Sequence, residues 1–242
     1  MTYRFIIRGR NCRKYATICL ASVMNQKLTN WHAHIVLDQP EDGSDKLVAD
    51  IIKSSPLGEK FSLVVNSERK GLARNIYEFP KTLNADPEDV FCFVDADDWI
   101  TTDALEAVNK KYSKENILIT HGSYIKVSKS RTTRISKKYP KGANVRTHPW
   151  RGSHLKTVKA KLFDRLPEHC MKMDNGDWLP AASDLAIMIP LMELAGLKRV
   201  AHVKTPIYYW RDKTEHTTNR EMQKQCEKII RAKTPLAKLN DV

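Results

Sequence analysis

Apolar residues in the first half of the chain fall into short runs separated by stretches with helical spacing. Residues 3–7 (YRFII), 32–37 (HAHIVL), 61–65 (FSLVV) and 90–94 (VFCFV) read as strands. Between them Tyr15, Ile18, Cys19 and Val23 recur at helical spacing, to about residue 26. Leu47, Val48, Ile51 and Ile52 mark a second helix, Gly71 opens a third that carries Arg74 and Asn75, and a fourth is expected near 102–111. Strands alternating with helices at these lengths predict parallel βαβ units. The run 90–94 is apolar at every position, which fits a strand covered on both faces.

Beyond residue 111 the pattern weakens. Residues 117–127 read as a strand, 157–166 as a helix, and 169–182, with Gly176, Trp178 and Pro180, as a loop. Ser183 offers an N-cap, with Asp184 at the first helical position, and Gly196 a stop. Pro190 predicts a kink or an early break in that helix. Two short strands are expected at 200–203 and 207–210, and a terminal helix at 221–233. No repeat or linker divides the chain, so one domain over 1–242 is expected.

Composition narrows the function classes. The 242 residues carry a net charge of +13, much of it in the block 126–146, KVSKSRTTRISKKYPKGANVR. Such charge suits nucleic acid, an anionic membrane face or phosphorylated substrates, or simply a solvated hairpin. The block lacks the interleaved aromatics of single-strand binders, which argues against nucleic acid. No apolar run approaches a membrane span, and MTYRFIIRGR does not read as a signal peptide. Cys12, Cys19, Cys92, Cys170 and Cys226 are odd in number and scattered, so reduced thiols and a cytoplasmic protein are expected.

The stretch 90–99, VFCFVDADDW, carries the candidate chemistry. Its apolar run stops at Asp95, and Asp97 and Asp98 follow at once. In open α/β sheets, ligands bind beyond the carboxyl ends of the strands. Like charges this close repel, so a cation is their natural partner. Mg²⁺ is held by one or two carboxylates plus substrate phosphates, and Mn²⁺ suits the same oxygens. A helix start alone needs only one Asp.

These residues resemble a family-2-type glycosyltransferase with the GT-A fold. FIIRGRN is similar to the family's first strand and turn, YATICLASVMNQ followed by HIVLD to its first helix and second strand, KGLARN to its G-x-x-x-A-R-N region, and VDADDW to its D-x-D segment. SDLAIMIPLMELAG and TPIYYWR resemble the acidic-residue helix and the strand after it. Here Ser183-Asp184 stands for the usual Glu-Asp pair, and Arg8 for a common Pro. Nucleotide-sugar transferases of this kind are also encoded by large DNA viruses of algae, and such an origin is entertained.

The resemblance implies an α/β GT-A fold with a mostly parallel central sheet flanked by helices. It implies a nucleotide-binding half at 1–111, an acceptor-binding half at 112–220 and a C-terminal helix and tail at 221–242. It further implies a metal-dependent inverting transfer from a UDP-sugar to a glycan hydroxyl, with Mn²⁺ or Mg²⁺ as cofactor. Asp38 would accept from the uracil N3–H, its alternative being a turn-forming Asp. Backbone groups of Ile7, Arg8, Gly9 and Arg10 would line the base. Lys70 and Arg74 would approach the diphosphate, their alternative being surface ion pairs. Asp95, with Ala96 beside it, would contact the ribose or the metal. Asp97 would ligate the metal directly, with His216 completing the shell, and Asp98 would cap a helix or orient Arg74. Asp184 is the candidate base, with Asp174 and Asp177 as rivals. Trp150, Arg151 and Trp178 would line the acceptor site, or pack in the core. Two other classes stay open, a sugar-nucleotide nucleotidyltransferase and a basic nucleic-acid-binding module.

Overall fold

The structure is a computed structural model that describes residues 1–114, 116–128, 131–212 and 219–240. Strands β1 (Tyr3–Gly9), β2 (Trp31–Asp38), β3 (Phe61–Asn66) and β4 (Val90–Asp95) alternate with helices α1 (Arg13–Met24), α2 (Ser44–Ser54) and α3 (Leu72–Lys81). Then come β5 (Trp99–Ile100), α4 (Ala104–Tyr112), β6 (Ile119–Val127), β7 (Arg131–Arg134), β8 (Lys156–Lys159) and α5 (Ala160–Phe163). Helix α6 (Ser183–Ala195), strand β9 (Val200–Arg211) and helix α7 (Arg220–Ala232) complete the described elements.

The sheet runs β3-β2-β1-β4-β8-β6-β9-β5, with β7 pairing β6 at the side. Pairing is parallel from β3 to β4, antiparallel on both sides of β8, and parallel again between β6 and β9. The two faces sort by the strand period of two. Phe5, Ile7, Cys92 and Val94 point into a core with α1, α2 and α4. Ile6, Phe91 and Phe93 point into a second core with α3, α5, α6 and α7. Because β1, β2 and β4 are parallel neighbours, their carboxyl ends form one rim. Gly9 lies opposite Leu37, and Arg8 opposite Asp95.

Four expectations change. Residues 156–159 form a strand, with a single helical turn after it. All four strand residues are buried, so the lysines Lys156 and Lys159 point into polar niches where periodicity cannot place them. Helix α6 continues through Pro190 to Ala195. All but three of its 13 residues are buried, and packing on all sides outweighs the hydrogen bond that proline removes. The two short strands near the end are one strand, β9, whose register against β6 shifts near Pro206. The basic block is not uniformly a surface segment. Tyr139, Val145 and Arg146 are buried.

Candidate active site

The rim is drawn tight at Gly9. The Ala96 N–H donates to the Arg8 carbonyl at 2.9 Å, and a Cβ on Gly9 would come within 2.6 Å of the Ala96 Cβ. Ile7 is fully buried, and the side chain of Arg10 reaches the Gln39 carbonyl and Glu41, 3.2 Å away.

Arg8 is the centre of the charge network. Its side chain is only 6% exposed. Its Nε donates to Asp95 at 2.7 Å, its Nη1 to the Ser183 hydroxyl at 3.2 Å, and its Nη2 to Asp184 at 3.3 Å. Burial works against the charge of Arg8, but Asp95 and Asp184 outweigh it and raise the pKa further. The Lys156 ammonium, also buried, pairs with the other Asp184 oxygen at 2.7 Å and lies 3.0 Å from His154 Nδ1. Burial, and then the charge of Lys156, lower the His154 pKa to about 3, so the ring is neutral and Nδ1 accepts from Lys156. For Asp184, burial would raise the pKa, but the charges of Lys156 and Arg8 overcome it and hold the carboxyl far below the usual range. Asp184 is therefore ionised at any working pH. Asp174 and Asp177, its sequence rivals, are exposed on the loop before α6. Ser183 does not cap the helix. That position falls to Ala182, in the left-handed region at φ 56°.

Asp95 and Asp97 are partly exposed, whereas Asp98 turns inward. Asp98 accepts from the Tyr208 hydroxyl and from the Arg211 N–H, both at 2.7 Å. Burial, with Asp97 and Asp95 close by, pushes its pKa well up. It therefore neither caps the next helix, whose N-cap is Asp103, nor orients Arg74. Asp95 and Asp97 offer hard oxygens, the donor type that Mg²⁺ and Mn²⁺ take, although Arg8 already uses one Asp95 oxygen. Among the described residues no three His, Cys, Asp or Glu side chains form a ready-made cage. The residues present therefore fit a metal that takes further ligands from nucleotide and water. His216 lies outside the described residues.

Asp38, at the end of β2, fastens the loop before α3. It accepts from the Lys70 N–H at 2.8 Å, the Gly71 N–H at 2.9 Å and the Asn66 amide at 3.0 Å. Burial would raise its pKa, but these bonds outweigh it and lower the pKa. Gly71 sits at φ 80°, where a side chain would be strained. Lys70 and Arg74 both pair with Glu78, at 3.5 and 2.8 Å. Arg74 also lies 5.9 Å from the Trp178 ring centre.

The three candidate acceptor residues separate. Trp178 packs on Tyr77 and Arg74. Trp150 and Arg151 instead line a cavity of about 330 Å³ with Tyr124, Arg134, Ser136 and Lys137.

Sequence reasoning missed Lys156, His154, Tyr208 and Arg211. The β-branched pair Thr157-Val158 was the available signal for a strand that would present Lys156.

A mixed sheet with a parallel nucleotide-type half, and an acidic pole at its strand ends, defines the GT-A class of fold. The sequence model of glycosyl transferase family 2 matches residues 5–170, and the chain belongs to that family. No curated protein matches it. Solved structures share the fold at low identity. TarS of S. aureus in complex with UDP-GlcNAc is 15% identical, with a TM-score of 0.65 over 89% of this chain and 60% of that one. The mannosyltransferase PcManGT of Pyrobaculum calidifontis, with GDP-Man and Mn²⁺, is 16% identical, with a TM-score of 0.59 over 89% and 57%. GalNAc-T7 with UDP, GalNAc and Mn²⁺ is 12% identical, with a TM-score of 0.68 over 95% and 47%. The chain thus spans about six tenths of the length of the TarS fragment it matches.

Proposed function

We propose that this protein is a metal-dependent, inverting glycosyltransferase that moves a sugar from a UDP-sugar to a hydroxyl of a glycan acceptor. One observation carries the reading. A single guanidinium, that of Arg8, binds both Asp95 at the end of β4 and Asp184 at the start of α6. The carboxylates suited to the donor and the carboxylate suited to the acceptor hydroxyl therefore meet at one point. Family membership and neighbours solved with UDP-GlcNAc, GDP-Man and Mn²⁺ support the same class of donor and cofactor.

Asp97 and Asp95 would hold Mn²⁺ or Mg²⁺, which when bound supplies Lewis-acid support for the leaving diphosphate. Asp38, ionised at the end of β2, would accept from the uracil N3–H through the oxygen that also takes the Gly71 N–H. Backbone groups of Ile7 to Arg10 and Ala96 would line the nucleotide, with Lys70 and Arg74 leaving Glu78 for the diphosphate. Asp184, ionised and fixed by two cations, would accept the proton of the attacking hydroxyl. Attack from the side opposite the leaving diphosphate inverts the anomeric centre. Buried, unpaired thiols are compatible with work in the cytoplasm.

Calorimetry of UDP binding with and without Mn²⁺ tests the donor site. The parent should gain affinity on adding Mn²⁺, and Asp97→Ala should lose that gain while keeping its fold. Equal affinities in the two proteins with Mn²⁺ present would overturn the reading.

A further inference from the structure

We propose that the cavity lined by Trp150 and Tyr124 receives an acceptor glycan that carries an anionic group, a phosphate or a carboxylate. The inference rests on the transferase reading and names the acceptor class for it.

The cavity holds about 330 Å³, at the small end of the range for ligand sites and of the order of a sugar unit or two. Its aromatic walls, Trp150 and Tyr124, are surfaces on which sugar rings pack. Its charged groups are Arg134, Lys137 and Arg151, and no carboxylate lines it. The contrast with the neighbouring cations decides the matter. Arg8 and Lys156 pair with Asp95 and Asp184, and Lys126 pairs with Asp212 at 2.8 Å. Among the described residues, Arg134, Lys137 and Arg151 pair with no carboxylate. Arg134 and Lys137 are exposed and Arg151 donates to the Lys138 carbonyl, so an anionic group entering the cavity meets three cations with no carboxylate partner.

The cavity is built rather than incidental. Arg134 lies opposite Tyr124 in the β6–β7 ladder. The segment after β7 is stapled to β6 through the Ser136 N–H to Ser123 Oγ, at 3.0 Å, and the Ser136 hydroxyl to the Gly122 carbonyl, at 2.7 Å. The Arg151 N–H donates to the Tyr139 hydroxyl at 3.0 Å. A relay of three contacts links the cavity wall to the candidate base. The Tyr124 ring centre is 5.8 Å from that of His154, His154 accepts from Lys156, and Lys156 pairs with Asp184.

The test measures binding of mannose 6-phosphate and glucuronic acid against their neutral parents, mannose and glucose. Inorganic phosphate, a short oligothymidylate and UDP with Mn²⁺ run alongside. The parent protein should bind at least one anionic sugar about tenfold or more tighter than its neutral parent, as a charge-assisted contact implies. Preference for the phosphate or the carboxylate sugar identifies the source of the anion. The double variant Arg134→Gln, Lys137→Gln should lose that preference and keep its UDP affinity within about twofold, since neither side chain lies at the strand-end rim. Four results would overturn the proposal: equal binding of neutral and anionic sugars, an unchanged preference in the variant, inorganic phosphate or oligothymidylate binding as tightly as the anionic sugars, or a large loss of UDP affinity. If the parent fails to bind UDP, the transferase reading falls. The sugar preference then still decides the cavity, because it needs no donor.

Discussion

Asp184 owes its charge to two neighbours, and they set both its strength and its limits. A carboxylate between Lys156 and Arg8 stays ionised but is a weak base until a substrate alters its surroundings. The acid limb that Asp184 contributes to kcat/KM should therefore lie below the ordinary carboxylate range. Lys156→Met removes the leading attractive charge, so that limb should move up in pH, towards the ordinary Asp value of about 3.9. Arg8 still holds Asp184 in that variant, so the fold should persist. A pH profile identical to the parent's would show that Asp184 is not the group titrating. Asp184→Asn should lower transfer by about 10²–10⁴-fold, the range for a lost general base. Asp174→Asn and Asp177→Asn, on the exposed loop, should not. NMR of the first product formed should show the anomeric configuration inverted.

Helix α6 carries Asp184 at one end and is anchored at the other. Arg146 reaches both Glu193 oxygens, at 2.6 and 2.8 Å, and also the Ile230 carbonyl near the end of α7. Both side chains of the pair are nearly buried, 4% and 9% exposed. Arg146→Met would strand the Glu193 carboxylate, at a cost of about 3–5 kcal/mol, and Glu193→Leu added to it should recover much of the loss. Urea unfolding of the three proteins measures both steps. A loss under about 1 kcal/mol for Arg146→Met would mean that water reaches Glu193. The same helix shows where the sequence could be read and where it could not. Strands β1, β2 and β4 were legible because their apolar runs match a sheet covered on both faces, and β3, a sheet edge with no buried residue, was legible from its short apolar run alone. The acidic cluster was legible because Asp95 and Asp97 follow such a run directly. Strand β8 was not, because its lysines are buried against partners far away in sequence, Asp184 for Lys156 and Glu88 for Lys159. Pro190 misled in the same way, since a local rule breaks an element that packing keeps whole. Arg8 stood out only as a departure from a family pattern. That it faces Asp184 depends on a fold contact across 176 positions.

The whole molecule should lose stability steadily in acid, in two stages. Burial lowers the pKa values of His121 and His154 to about 3 and of His34 to about 4, each below the value of about 6.5 for an unfolded chain. Their stabilising contribution is complete above about pH 6.5 and is lost as pH falls towards the folded values, because the unfolded chain takes up the protons first. Asp38, Asp89 and Asp184 are lowered as well, and Lys161 and Lys159 bring Glu88 to about 2. Their share is present above about pH 4 and fades below it. Urea midpoints should therefore fall between pH 7 and 5, and faster below pH 4. His121 has neither ring nitrogen hydrogen-bonded and packs against Tyr139 and His202, so His121→Leu should flatten the first stage. A parent midpoint constant down to pH 5 would contradict this. The five cysteines lend the molecule a practical property of a different kind. All are unpaired, and all lie inside the two cores or against them. A thiol reagent meets them only when the chain opens, so a cysteine introduced on the β6–β7 hairpin would be the one site to react in the folded protein. A spectroscopic label could then be set at the mouth of the cavity without first removing any of the native cysteines.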